Sequence, residues 1–151
     1  MRRLGVFRQK YICMFLINLL ILLCVGAATA PVTRLHIEIQ NIQKSGGTLR
    51  VGIYKPGEKF KTATPFMNRQ IRIEKPGVQR VEFELAPGTY AVALYHDLND
   101  NNKIDKHFFG YPKEPFGLSN NFRPLFSAPE FHDCAIELPV HGKSISIALI
   151  D

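Results

Sequence analysis

The chain has no tryptophan and only three cysteines, two of which, Cys13 and Cys24, sit in an N-terminal apolar run. With that run set aside Cys134 stands alone, so no internal disulfide staples the remainder, and a small buried apolar residue is its expected role. Beyond residue 30 no segment keeps an apolar period of 3.6 over three turns, which excludes a helical bundle. No internal repeat or low-complexity segment is present. A basic excess is missing too. The whole chain carries +6, but residues 1–30 hold four of its 19 basic residues and none of its 13 acidic ones, leaving 15 against 13, a net +2. The remaining Lys and Arg are scattered among Glu, so no nucleic-acid partner is expected.

What is present starts with an export signal. Arg2, Arg3, Arg8 and Lys10 precede an apolar run over 12–25, broken only by Asn18 and followed by Gly26-Ala27-Ala28-Thr29-Ala30. Charged, apolar and small-residue regions come in the order of a secretory signal. Cleavage after Ala28 puts Gly26 and Ala28 at the two selected positions, whereas a cut after Ala30 would leave Pro31 next to the bond. Residues 1–28 are therefore predicted to be a signal peptide and 29–151 one domain, periplasmic or secreted, with no stable membrane insertion after cleavage. The alternative is an uncleaved anchor, since 11–30 can be stretched to the roughly 20 residues that span a bilayer. Cys24 follows Leu23, where lipid attachment wants a small residue.

The mature domain reads as all-β, with period two nearly throughout. Leu35, Ile37 and Ile39 alternate with His36, Glu38 and Gln40 up to a turn at Ser45-Gly46-Gly47. A second strand over 48–54 puts Leu49, Val51 and Ile53 on one face. Phe60 and Phe66 are expected as core anchors on an irregular connection. Further strands are predicted over 69–75, 81–85, 89–96, 135–138 and 144–150. The run Tyr90-Ala91-Val92-Ala93-Leu94-Tyr95 is apolar on both faces and reads as a central strand. Seven short strands at even spacing predict an antiparallel β-sandwich, transthyretin-like or immunoglobulin-like, with a closed barrel as the competing architecture.

One interval resists this pattern. Residues 97–132 form a long loop with almost no strand signal, yet they hold six Phe, one Tyr and four Pro, too apolar for disorder and expected to pack on the sandwich. Tyr111, Phe116, Phe122, Phe126 and Phe131 are either the satellite core that pins this loop or a ligand platform.

The loop opens Asp97-Leu98-Asn99-Asp100-Asn101-Asn102-Lys103-Ile104-Asp105, with oxygen-bearing side chains at relative positions one, three, five and nine. Calcium loops use that spacing, because alternate side chains of a tight coil point inward to a hard cation that takes six to eight oxygens. Asp97, Asn99, Asn101 and Asp105 are the candidate side-chain ligands, with the Lys103 carbonyl between them. Asn102 stands where such loops want Gly, and Asn tolerates positive φ. Phe108 replaces the bidentate Glu of an EF-hand; Glu114 becomes a remote carboxylate if the loop folds back. The competing reading is a polar turn in which Asp and Asn cap their own backbone.

Other constellations are weaker. His96, His107, His132 and His141 show no tight ligand-pair spacing with Cys134 beyond His132-x-Cys134. Ser119 lacks the Gly-x-Ser-x-Gly context of an activated nucleophile.

Three segments in order carry a family resemblance: Leu85-Ala86-Pro87-Gly88-Thr89-Tyr90-Ala91-Val92 leading into the polar turn, Gly110-Tyr111-Pro112-Lys113-Glu114-Pro115-Phe116-Gly117-Leu118-Ser119-Asn120-Asn121, and Ala128-Pro129-Glu130-Phe131-His132-Asp133-Cys134-Ala135. Over roughly 35–150 the chain resembles the exported bacterial family called domain of unknown function 2141. The resemblance implies a periplasmic or secreted sandwich and no established activity. Asn102, and Phe116 beside Pro115, depart from residues usual in that family.

The expectation is thus an exported, non-enzymatic β-sandwich whose turn binds structural calcium and orders an aromatic recognition loop. The alternative is a metal-free accessory module that binds a cell-envelope glycan or protein. A hydrolase is the third class, resting on His96, Asp97, Glu114 and Asn120.

Overall fold

The computed structural model describes residues 31–57, 60, 64–108, 110–124 and 127–151, of which the domain proper begins at Pro31. The signal peptide read at 1–28, its cleavage site and Phe126 lie outside the described residues. Eight strands follow in order: β1 (Thr33–Ile42), β2 (Thr48–Tyr54), β3 (Met67–Arg72), β4 (Gly77–Leu85), β5 (Gly88–Asp97), β6 (Phe116–Leu118), β7 (Ala135–Leu138) and β8 (Lys143–Ala148). A 3-10 turn at Ser119–Asn121 and a one-turn helix α1 (Phe131–Cys134) complete the set.

The strands make two sheets, β4-β1-β8 and β3-β2-β5-β6, with β7 also on β5. All pairs are antiparallel except β1 with β8, which run parallel. Alternation explains the layering. On β1, Leu35, Ile37 and Ile39 are buried while Arg34 and His36 are exposed; on β2, Leu49, Val51 and Ile53 are buried. With Phe83, Leu85, Val92, Leu94, Ile136, Leu138 and Ile147 these residues form one inter-sheet core, the arrangement of a β-sandwich.

β5 is the central strand. β2 pairs one edge, and two short strands share the other, β7 against Gly88–Ala91 and β6 against Ala93–Tyr95. Its Tyr90 hydroxyl donates to the Ala86 carbonyl at 2.9 Å, pinning the Pro-Gly-Thr-Tyr turn much as a tyrosine corner does. Three polar side chains then tie the returning loop to the sheets. The buried Ser119 hydroxyl accepts from the Val92 amide at 2.9 Å and donates to the Cys134 carbonyl. Asn120, at φ 61°, donates to the Ala135 carbonyl at 3.0 Å. Asn121 accepts from the Ala148 amide at 2.8 Å and donates to the Ser146 carbonyl at 3.1 Å.

Three expectations need correction. Phe66 is 45% exposed beneath the Lys55 ammonium rather than in the core, whereas Phe60 is buried. The interval 97–132 contains a strand, β6, too short to show alternation and defined by its pairing with β5. The third strand ends at Arg72 rather than Lys75, because Ile73 turns to exchange backbone hydrogen bonds with Gly46 and Gly47.

Candidate functional site

The polar turn at the end of β5 is closed by its own carboxylates. Asp97 is fully buried, and its Oδ1 accepts the Asn101 amide at 3.1 Å. Its Oδ2 accepts the Asn102 amide at 2.9 Å and Arg50 Nε at 2.8 Å. Arg50 also donates to the Asn102 side-chain oxygen. Asn99 Oδ1 accepts the Asn101 amide at 3.2 Å, and Asn101 Oδ1 the Lys103 amide at 3.0 Å. The amide nitrogens of Asn99 and Asn101 both reach Asp105 Oδ2, at 2.8 and 3.1 Å. Those hydrogen bonds, from Asn99 first and Asn101 next, hold the Asp105 carboxyl below the usual carboxylate range.

The loop does fold back through Glu114. This buried carboxylate accepts the Leu98 amide at 2.9 Å and the Asp105 amide at 3.1 Å, clamping both ends of the turn. Asn102 adopts φ 68°, the conformation for which Gly would otherwise be selected. Glycine is required at Gly47, where a Cβ would come within 2.3 Å of the Asp97 carbonyl oxygen. Asp100 takes the Thr48 hydroxyl at 2.7 Å and an Arg72 ion pair, so the turn is fastened to β2 and β3 as well. Among the described residues no three His, Cys, Asp or Glu side chains are grouped to hold a metal, and no buried side-chain polar atom lacks a partner.

The remaining residues singled out from sequence disperse. His96 is buried on the inner face with Nε2 at 2.7 Å from the Gly46 carbonyl, so the ring donates there. Asn120 bonds backbone near α1, and His107, His132 and His141 are exposed. Cys134 is buried, and burial pushes its thiol up to about 12, which keeps it protonated.

The feature that alternation alone did not reveal lies on the outer face of the five-stranded sheet. Two registered rows cross it from edge to edge. One runs Asn68, Gly52, Ala93, Leu118 and the other Gln70, Arg50, Tyr95, Phe116. Ile104, Lys106, Tyr111 and Pro112 on one side and Pro124 and Ala128 on the other wall these rows into a groove of about 790 Å³. Gly52 keeps the floor low, since a Cβ there would meet Pro65 at 3.0 Å and the Tyr54 ring at 3.1 Å. Tyr111 stands edge-on to Phe116 at 5.6 Å at one end. The Tyr95 phenol lines the middle, and burial chiefly raises its pKa, so it stays a hydrogen-bond donor at neutral pH.

A second apolar cluster, built on Phe60, Ala91, Phe116, Leu118 and Cys134 with Phe122 and Phe131 against it, holds the loop layer to this face. Phe60 bridges Tyr54 and Phe131, with ring centroids 4.9 and 6.4 Å away. The loop aromatics thus divide: Phe122 and Phe131 are satellite core, Phe116 belongs to that cluster and also floors the groove, and Tyr111, 45% exposed, lines the groove. The clue in the sequence was β5 itself, apolar on both faces and small at Ala91 and Ala93, which demands a cover on each side.

Among the described residues no helix is long and apolar enough to cross a membrane. No curated protein and no solved structure matches the chain. The family model of an uncharacterized protein conserved in bacteria, domain of unknown function 2141, matches residues 37–147. That span takes in both sheets, the polar turn and the groove, and the chain belongs to this bacterial family.

Proposed function

We propose that the chain is an exported, non-enzymatic binding module of the cell envelope, and that the groove on the outer face of the five-stranded sheet recognises a glycan. The groove itself supports this reading. Its volume suits a small ligand, its floor is made of side chains, and its aromatic rings and side-chain amides suit sugar faces and hydroxyls. The floor strands β2 and β5 are paired on both edges, so the groove offers no free backbone ladder to an added peptide strand.

Calorimetry of the mature protein with a panel of envelope oligosaccharides tests this, with Asn68→Trp as the control. Asn68 is exposed on the groove rim, so an indole there fills space without entering the core. Saturable binding that Asn68→Trp abolishes is expected. No saturable binding, or binding indifferent to that substitution, would overturn the reading.

A second reading adds a calcium ion held by Asp97, Asn99, Asn101, Asp105 and the Lys103 carbonyl. It rests on the spacing of oxygen-bearing side chains at relative positions one, three, five and nine, and on the side chains of Asn99 and Asn101 both lying against Asp105. At ~1 mM calcium and a Kd of ~0.1 mM such an ion adds about 1.4 kcal/mol. Melting several degrees higher in calcium than in chelator, lost in Asp105→Asn, is the expected result. Equal melting temperatures leave the turn closed by its own hydrogen bonds.

A further inference from the structure

The groove has a direction. Its two rows run across the strands, from edge strand β3 through β2 and β5 to β6, over three inter-strand spacings of ~4.8 Å, or about 14 Å. Composition changes along that line. At the β3 end stand the carboxamides of Asn68 and Gln70, both exposed. In the second row Arg50 follows, immobilised by Asp97 and Asn102. At the β6 end the side chains are Phe116 and Leu118, with Tyr111 against Phe116 and Ile104 on the wall. One end is built of hydrogen-bonding carboxamides, and the floor of the other, Phe116 and Leu118, is apolar surface and ring faces.

We infer that the ligand is an amphiphile of glycolipid type, with a sugar head on the Asn68 and Gln70 end and a short apolar tail on the Phe116, Leu118 and Tyr111 end. This rests on the groove being the recognition site. It follows from matching each end to its solvation. A wholly hydroxylated chain as long as the groove would strip water from hydroxyls laid on Phe116 and Leu118, which return no hydrogen bonds, and that is costly. A plain hydrocarbon would leave the two carboxamides and the guanidinium edge unused, so nothing would fix its orientation. A sugar head joined to an acyl or alkyl chain satisfies both ends at once. The carboxamides are suited to sugar hydroxyls because each presents a donor and an acceptor side by side.

The probes are n-octyl β-D-glucoside below its micelle concentration, free glucose, and sodium octanoate, titrated calorimetrically into the mature protein. Octyl glucoside is expected to bind about tenfold or more tightly than glucose, since a few buried methylenes suffice for that factor. It should also exceed octanoate by about tenfold through the hydrogen bonds of its head. The two ends should respond separately. Asn68→Leu with Gln70→Leu should remove the advantage over octanoate while octanoate binding persists, and Tyr111→Ser should weaken both tailed probes and leave glucose unchanged. All three positions are exposed, so folding is not at stake.

Equal affinity for octyl glucoside and octanoate, or for octyl glucoside and glucose, would overturn the inference and leave the groove reading intact. Binding of tailless oligosaccharides, lost in Asn68→Trp, with no binding of octyl glucoside would do the same. Failure of every probe and of the oligosaccharide panel would remove both.

Discussion

The two outer faces of this sandwich are built on opposite rules. Over the three-stranded sheet the solvent side carries Arg34, His36 and Glu38 from β1 facing Glu84, Glu82 and Arg80 from β4. These are exposed ion pairs, Arg34 with Glu82 at 3.2 Å and Arg80 with Glu38 at 2.9 Å, and such pairs contribute little to stability. Over the five-stranded sheet the same strand positions hold Gly52, Tyr54, Ala91, Ala93, Tyr95, Phe116 and Leu118, roofed by a loop layer. A sandwich needs one buried interface, and this one has a second. The second leaves a groove where the first leaves none, because its roof is a loop clamped by hydrogen bonds rather than a sheet of interdigitating side chains.

If the carboxylates of the polar turn hold that roof, removing the buried one should cost as much as a core side chain. Asp97→Ala leaves Arg50, only 15% exposed, without its carboxylate, strips the Asn102 amide of its acceptor and leaves the Asn101 amide with Asn99 Oδ1 alone. Unfolding in urea should show a loss of about 3–5 kcal/mol. A loss below ~1 kcal/mol would mean that the loop layer stands without its clamp and that the two faces differ less than their chemistry suggests.

Leu94→Ala sharpens the comparison from the other side. Leu94 is buried between the sheets, opposite Val51 across the strand pair. Truncation there should cost about 2–5 kcal/mol, and the groove, which Leu94 borders from β5 while its side chain belongs to the inter-sheet core, should keep its ligand affinity in the folded protein. Calorimetry on the variant below its melting temperature checks the second part; a parallel loss of affinity would show the layers to be coupled.

The smallest effect is in acid. Asp105 has its pKa lowered in the folded state, so its contribution is fully present above the ordinary value of 3.8 and is lost as the pH falls through the depressed folded value. Asp100, lowered by the Thr48 hydroxyl first and Arg72 next, adds in the same sense. The melting temperature should fall below about pH 4, and Asp105→Asn should flatten that limb. An unchanged limb would place the acid sensitivity on the charged face of the other sheet, where Glu38 is held low by Gln40 and then Arg80.

The architecture was legible wherever one face of a strand meets the core and the other meets water. β2 and β7 fall on the residues that alternation predicts, and Val92 and Leu94 take the inner side while Ala91 and Ala93 take the outer. The burial of Cys134 was legible from its isolation. β6 was not, because three residues containing a central glycine carry no period. Nor was the exposure of Phe66, since a sequence does not say which of two aromatics on a connection finds a partner.

The composition of the polar turn was likewise readable in advance, but not the partners its side chains would take. The order of Asp and Asn residues determined that 97–105 would coil on its own oxygens, because those side chains reach backbone amides two to five residues away. Arg50 and Glu114 come from 47 and 16 residues off and meet Asp97 and Leu98 only because the sheets and the returning loop bring them there. The groove is wholly of this second kind. Its two rows take one residue from each of four strands, so no local pattern contains them. Cross-strand register places Asn68 beside Gly52 and Tyr95 beside Phe116, and register is a property of the assembled sheet, since sliding any strand by one residue would turn that row into the core.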